Sequence, residues 1–220
     1  MALTLDVLII RAAEFLEDTA YGRWTAALIT KYINDAQRDF ARGARCCRKY
    51  SAALVVSATT PTYAFYTLPT DLLEIAPAGV WTTTSGQNIQ LPPAAVSDLG
   101  DNWDNVSGDP PSCYINLLEF GMTELRVWPT PAAALTALKL YYVYLPADLT
   151  GSQSSPIPEQ YHMALVYYAV AMCLMGFKQG SDQARSQAYM GMYERDLAHA
   201  GGKVAGSFAN VAAVVPFRNV

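Results

Sequence analysis

The stretch PEQYHMALVYYAVAMCLMGFK, residues 158–178, is the most apolar continuous run in the chain and decides its fold. Between Tyr161 and Phe177 it carries no formally charged side chain. Prolines and Glu159 stand at its start, a combination that favours the first turn of a helix. The uncharged part of the run, residues 161–177, is shorter than the ~20 apolar residues of a membrane span, and it includes polar side-chain atoms. We therefore predict a helix that other parts of the protein bury on most sides.

Three other segments repeat apolar residues at helical spacing. The first lies in residues 4–17 and the second in residues 25–43, with Thr4 and Thr25 as their N-caps. A third runs over residues 181–202, where a glycine pair ends it. One helix pair therefore precedes the middle of the chain and another follows it.

The middle of the chain, residues 51–146, is rich in proline and in short runs of β-branched and aromatic residues. Proline excludes long helices here, and such runs favour strands. Gly86 and Gly121 lie where turns would join two hairpins. We predict seven strands, at residues 54–56, 64–68, 74–83, 88–91, 114–118, 124–128 and 137–144.

These elements together predict an α+β fold class. The expected architecture is a four-helix bundle, made of two N-terminal and two C-terminal helices, with a β-rich insertion and an extended C-terminal tail. The predicted parts are an N-terminal helix pair, a β-rich insertion, a C-terminal helix pair and a docking tail, at residues 1–50, 51–150, 151–202 and 203–220.

The expected tail, residues 203–220, is apolar without a clean helical period. Its large apolar side chains would promote aggregation if water surrounded them. The free energy gained by burying these side chains is similar in size to the entropic cost of ordering their backbone. The tail therefore gains little stability by folding alone. We expect it to dock on another polypeptide, through strand hydrogen bonds or through many copies that bind together. The docking residues are Phe208, Val211, Val214, Val215, Phe217 and Val220.

Charge is distributed unevenly along the chain. Residues 1–50 hold eight Lys/Arg against six Asp/Glu, residues 51–160 two against ten, and residues 161–220 five against three. An acidic middle repels a phosphate backbone, which argues against a sequence-reading DNA-binding protein. One basic cluster stands at the end of the second helix: Arg38, Arg42, Arg45, Arg48 and Lys49. It is either a solvated face that complements the helix C-terminus or a contact with DNA or an acidic partner.

Motifs for catalysis or metal binding are absent from the sequence. His162 and His199 have no ligand-type neighbour at metal-binding spacing, and the four cysteines form no C-x-x-C pair, which fits a reduced setting. A nucleophile elbow and a phosphate-binding loop are also missing. We predict no enzyme, no cofactor and no metal. A carbohydrate- or receptor-binding module that uses Trp81, Trp103 and Trp128 is the alternative, and a cell-wall hydrolase is a third class.

A series of segments, taken in order, resembles the head-to-tail adaptor (connector or neck) proteins of tailed bacteriophages. The resemblance spans nearly the whole chain, but the hydrophobic end from Ser207 departs from it. The segments are RWTAALITKYINDAQRDFARG (23–43), FYTLPTDLLEIAPAGVW (65–81), GDPPSCY (108–114), ELRVWPTP (124–131), LYYVYLPADLT (140–150) and PIPEQYHMALVYYAVAMCL (156–174).

This resemblance implies a structural virion protein of the neck, made in the host cytoplasm and located between the capsid portal and the tail. It implies a homo-oligomeric ring, a dodecamer, that binds the portal, extends the DNA channel and docks a tail or nozzle protein. No membrane is implied. Double-stranded DNA would pass without sequence-specific contacts. An acidic or neutral lumen would let the DNA slide, whereas an inward basic cluster would hold it, and both options stay open.

Overall fold

The structure is a computed structural model, and it describes residues 3–51, 54–59, 61, 63–84, 87–99, 103–117, 123–135, 138–176 and 180–209. The chain forms two compact units. The helical unit comprises Met1–Cys47 and Leu145–Val220, and the β unit comprises Arg48–Tyr144. The helical unit is therefore built from both ends of the chain.

Four helices make up the described part of the helical unit: α1 (Leu5–Phe15), α2 (Ala26–Ala44), α3 (His162–Met175) and α4 (Gly180–Ala209). The Thr25 hydroxyl accepts a hydrogen bond from the Leu28 amide at 3.3 Å, which confirms the predicted cap of α2. Thr4 precedes α1 as predicted, but its side chain makes no capping bond. A 3₁₀ turn, Glu159–Tyr161, leads into α3.

Helix α3 is the centre of the helical unit. It contacts α1, α2 and α4, and most of its side chains are buried, from Ala164 to Leu174. The Trp24 indole packs against its end and donates a hydrogen bond to the Cys173 carbonyl oxygen at 3.1 Å. The prediction of a helix buried on most sides is confirmed. Among the described residues, no helix is both long enough and apolar enough to cross a bilayer.

Buried polar side chains attach the segment before α3 to α2. Asn34 accepts a hydrogen bond from the Leu149 amide at 2.8 Å, and Gln37 donates one to the Ala147 carbonyl at 2.9 Å. The Ser155 hydroxyl donates to the other end of Gln37 at 2.8 Å. Because an unpaired polar group in the interior is costly, these bonds define one path for this segment.

Eight strands form the described part of the β unit. They are β1 (Arg48–Ser51), β2 (Val55–Val56), β3 (Phe65–Thr67), β4 (Leu72–Thr84), β5 (Gln87–Gln90), β6 (Cys113–Asn116), β7 (Glu124–Trp128) and β8 (Lys139–Tyr144). They make two antiparallel sheets, ordered β1-β8-β4-β5 and β2-β3-β7-β6. Both sheets contribute to one apolar core, which includes Tyr66, Leu125 and Val127 from one sheet and Val80 and Leu140 from the other.

The predicted fold class is wrong as stated. The described residues form four helices and two antiparallel sheets of four strands each, rather than a four-helix bundle that carries a β-rich insertion. All seven predicted strands are present, and β1 adds an eighth. The sequence of β1, RKYS, is charged and exposed, so it lacks the apolar pattern that predicts a strand. Its ladder with β8 stabilises β1 instead.

The extended tail is also corrected, since α4 does not end at its glycine pair. It continues to Ala209, so residues 203–209 are helical. A Cβ built on Gly201 would lie 3.8 Å from the Gly43 carbonyl oxygen, and one built on Gly43 would lie 2.9 Å from Leu197. Glycine therefore serves the close crossing of α2 and α4 here, and packing outweighs the ~1 kcal/mol that glycine costs a helix.

Strand β4 is bent where its pairing with β8 is interrupted between Ile75 and Val80. Ala78 has a left-handed backbone, with φ of 58°. At Gly79 a Cβ would lie 2.4 Å from the Tyr141 carbonyl oxygen and 2.5 Å from that of Ala76. Both neighbours are backbone atoms, which cannot move aside as a side chain can. Only glycine fits this position.

We predict that Gly79→Ala lowers the free energy of unfolding by about 1–3 kcal/mol, because the added methyl group overlaps backbone oxygens. Thermal unfolding followed by circular dichroism measures the loss. Gly202→Ala is the matched control. An added Cβ there meets nothing within 4 Å, and alanine is favoured over glycine in a helix, so this variant should not lose stability. An unchanged melting temperature for Gly79→Ala would contradict the described bend.

Candidate interaction surfaces

The side chains best suited to chemistry have structural partners. His162 accepts a hydrogen bond from the Leu3 amide at 3.0 Å, and its other ring nitrogen bonds the Ile157 carbonyl at 2.8 Å. Burial raises the pKa of the Cys113 thiol, and it raises that of Cys173 to about 12, so both stay protonated and weakly nucleophilic. Among the described residues, no group of three His, Cys, Asp or Glu side chains is placed to hold a metal ion.

The predicted basic cluster is divided between the two units. In the helical unit, Arg38 forms ion pairs with Asp148 and, at 3.7 Å, with Asp35. Arg42 is exposed in the last turn of α2 and has no ion pair within the part of the chain that the structure describes. Arg45 follows α2 with a left-handed backbone, and its amide donates to the Ala41 carbonyl.

The other two members of the cluster lie on β1, in the β unit. Arg48 and Lys49 are exposed, and the Lys49 amine is 2.9 Å from a carboxylate oxygen of Asp71. Arg38 and Lys49 are thus matched by carboxylates that are distant in the sequence, which the sequence pattern did not reveal. Their contact with DNA or with a partner stays a prediction.

Only one predicted docking residue of the tail lies among the described residues. Phe208 belongs to the last turn of α4. The other five, Val211, Val214, Val215, Phe217 and Val220, lie outside the described residues.

Helix α1 carries an exposed apolar pair on its outer side. Val7 is 36% exposed and Ile10 is 51% exposed, and the next turn on the same side bears the exposed Glu14. The opposite side of α1, including Leu8 and Ala12, is buried in the helical unit. Helix α1 therefore buries one apolar side in the core of the helical unit and also exposes two large apolar side chains on its outer side.

Helix α4 has an outer side of small residues. Seven of its exposed positions follow one another at alternating steps of four and three, which places these seven on one seam of the helix. Ser186, Tyr193 and Ala200 lie on the opposite, buried side. Sequence periodicity assigns Ala184 and Ala188 to the apolar repeat of this helix, whereas the structure exposes both. The seam consists of Ala184, Ala188, Gly191, Arg195, Ala198, Gly202 and Ala205.

An aromatic cluster joins α2, α3 and α4 inside the helical unit. Phe40 packs against Tyr161 and Tyr193, and Tyr168 meets Tyr193 edge to face. The Tyr193 hydroxyl donates a 2.6 Å hydrogen bond to a carboxylate oxygen of Asp39. Burial, together with this carboxylate, raises the pKa of Tyr193 well above its ordinary value.

The three tryptophans of the alternative interpretation do not share one surface. Trp128 donates a 2.9 Å hydrogen bond to the Trp103 carbonyl, and the Trp103 ring lies under the Arg126 guanidinium at 4.2 Å. Arg126 is only 3% exposed, so Trp103 packs against a buried cation, whose other aromatic neighbour is Phe65 at 5.2 Å. Trp81 instead belongs to the other sheet, where it lines a groove with Tyr50 and Tyr141. The aromatic platform expected for a carbohydrate-binding module is therefore not assembled from these three residues.

A family model described as SU10 adaptor protein matches residues 3–214, which include all four helices and both sheets. No curated protein matches the chain.

We predict that Tyr193→Phe lowers stability at neutral pH by about 0.5–3 kcal/mol, because the variant loses the bond to the Asp39 carboxylate. The raised pKa of folded Tyr193 also means that its contribution is complete below the ordinary tyrosine pKa of 10 and is lost as the pH rises through the folded value. Between these two values the wild-type stability falls with pH, and the variant should fall less steeply. Urea unfolding between pH 7 and 11 measures both effects. Tyr63→Phe, at an exposed tyrosine, should keep the wild-type slope.

Proposed function

Because the chain belongs to the SU10 adaptor protein family, we propose that it assembles into a dodecameric ring beneath the portal of a tailed bacteriophage. The family makes the chain a bacteriophage adaptor, a structural protein of the virion neck with portal and tail proteins as its partners. The proposed ring extends the DNA channel and docks the next tail or nozzle protein. The family match over residues 3–214 is the observation that carries this proposal.

The outer sides of α1 and α4 support contact between neighbouring copies. Val7 and Ile10 offer large apolar side chains, whereas Ala188 and Gly191 of the α4 seam are small and let a second helix approach closely. A ring needs two different surfaces on each copy, because each copy meets one neighbour on each side. We propose that α1 of one copy packs on the α4 seam of the next.

Charge supports the same arrangement. The exposed Glu14 follows the apolar pair on α1, and the exposed Arg195 interrupts the small residues of the α4 seam. Arg195 lies 3.1 Å from Asp196 of its own helix, but it is 71% exposed and can reach a second carboxylate. Opposite charges on the two facing surfaces help fix which surfaces meet.

The proposed channel lets DNA slide rather than holds it. Carboxylates neutralise Arg38 and Lys49, so the basic cluster carries less free positive charge than its sequence indicates. Strong cationic contacts would bind the phosphate backbone and slow its passage. Arg42 remains the member of the cluster best placed for a contact with DNA or with an acidic partner surface.

We predict that Ile10→Arg and Ala188→Arg each prevent assembly on the portal, since each places a large charged side chain in the proposed contact. Mass measurement of the protein mixed with portal reads out the copy number. Both positions are exposed in the single chain, so circular dichroism should show an unchanged fold. Val55→Arg, at a 74% exposed position in the β unit, is the control and should assemble normally. Normal rings from both test variants would exclude this contact.

The tail provides a second test. We predict that a chain ending at Ala209, which retains all of α4, folds normally but no longer attaches to portal in a pull-down. The reason is that residues 210–220 hold five of the six side chains predicted to dock on portal or on a neighbouring copy, and either loss weakens attachment of the ring. Phe217→Leu, which keeps an apolar side chain in a full-length tail, should still attach. Undiminished attachment of the truncated chain would remove the tail from the proposed docking.

A further inference from the structure

The outer face of the sheet β1-β8-β4-β5 carries an aromatic groove of about 290 Å³. Its five lining residues come from all four strands of this sheet: Tyr50, Trp81, Asn88, Lys139 and Tyr141. The opposite face of the sheet supplies the apolar core, so the groove is separate from the packing that holds the β unit together. Nothing in the proposed ring contact uses it.

Two tyrosines whose rings contact each other at a tilt form one end of the groove. Tyr50 and Tyr141 are direct partners in the β1–β8 ladder, and their ring centroids are 4.7 Å apart. They are 45% and 48% exposed, although each ring is a large apolar surface. Aromatic side chains of this kind dominate the energy of binding sites because they offer much apolar area and lose little entropy.

Trp81 and two polar side chains form the rest of the groove. The Trp81 indole donates a 2.7 Å hydrogen bond to the Ala78 carbonyl, which fixes its ring. The Asn88 amide oxygen accepts hydrogen bonds from Lys139 and Thr83, both at 2.9 Å. These bonds orient the Asn88 amide, whose NH₂ group has no hydrogen bond among the described residues. A rigid aromatic surface with one oriented donor is suited to an extended peptide, whose carbonyl groups need donors.

We propose that the aromatic groove of one copy binds residues 214–217, VVPF, from the tail of another copy. Proline-containing extended segments dock in aromatic-lined grooves, because proline is already restrained before binding. A proline restricts its own φ and disfavours the helical region for the residue before it, so a proline-containing segment loses less entropy on docking. Four extended residues span about 13 Å, which matches the about 14 Å across four strands of a sheet.

Charge favours the same occupant. Arg218 follows the proposed segment, whereas the β unit, residues 48–144, holds eight Asp/Glu against four Lys/Arg, a net charge of −4. Attraction between the basic tail and the acidic unit would guide docking. In a ring, every groove meets tails at a high effective concentration, so weak individual binding is sufficient. The inference therefore rests on the proposed ring and names the receptor of the tail.

Photo-crosslinking in the full-length chain tests this inference. Phe217 is replaced by the photoreactive amino acid p-benzoylphenylalanine, copies with light and heavy isotopes are mixed, and the mixture is assembled with portal and irradiated. Mass spectrometry should find crosslinks that join the tail of a light copy to groove peptides, containing Tyr50, Trp81 or Tyr141, of a heavy copy. Tyr141→Ala in the receiving copy should reduce these crosslinks at least tenfold. Tyr63→Ala, at a 36% exposed tyrosine outside the groove, should leave them unchanged.

The outcomes separate this inference from the adaptor proposal. Crosslinks to portal, to the same copy or to other surfaces would overturn the groove as the receptor and leave the adaptor proposal intact. Absence of any crosslink from assembled rings would also overturn it. Crosslinks between copies, in a protein that never attaches to portal, would support the groove and contradict the adaptor proposal.

Discussion

Helix α3 has no charged side chain, and its buried residues extend around most of its circumference. Such a helix cannot face water, so other elements have to cover it. Helices α1, α2 and α4 do so, and Trp24 closes one end. This need explains why the helical unit combines two parts of the chain: α1 and α2, which precede the β unit, and α4, which follows α3.

Each surrounding helix covers α3 with one side only. The outer sides of α1 and α4 are exposed and can contact other molecules. Tyr193 faces inward from α4 and bonds Asp39 of α2, which fixes the rotation of α4 about its own axis. That rotation turns the seam from Ala184 to Ala205 outward. Internal packing and the proposed contact between copies are therefore coupled, since one rotation serves both.

The sequence predicts those elements whose residues interact mainly with near neighbours or with a single core. Helical periodicity predicts α1, α2 and most of α4, and the uncharged apolar run predicts α3. Seven strands follow from short runs of β-branched and aromatic residues between prolines. Strand β1 and the end of α4 escape this reasoning, because distant residues stabilise them: β8 pairs with β1, and α2 crosses α4 at Gly43. The surfaces show the same limit. The cations at Arg38 and Lys49 are visible in the sequence, but their carboxylate partners are not.

The division of the chain has a consequence for its synthesis. Residues 48–144 are continuous, so the β unit can fold as soon as it leaves the ribosome. The apolar faces of α1 and α2 instead wait for α3, which at typical elongation rates means a delay on the order of ten seconds. During that delay a nascent chain exposes Phe40 and Ile33, both fully buried in the finished protein. Chaperones that hold exposed apolar helices are therefore expected to act on its first fifty residues before translation ends.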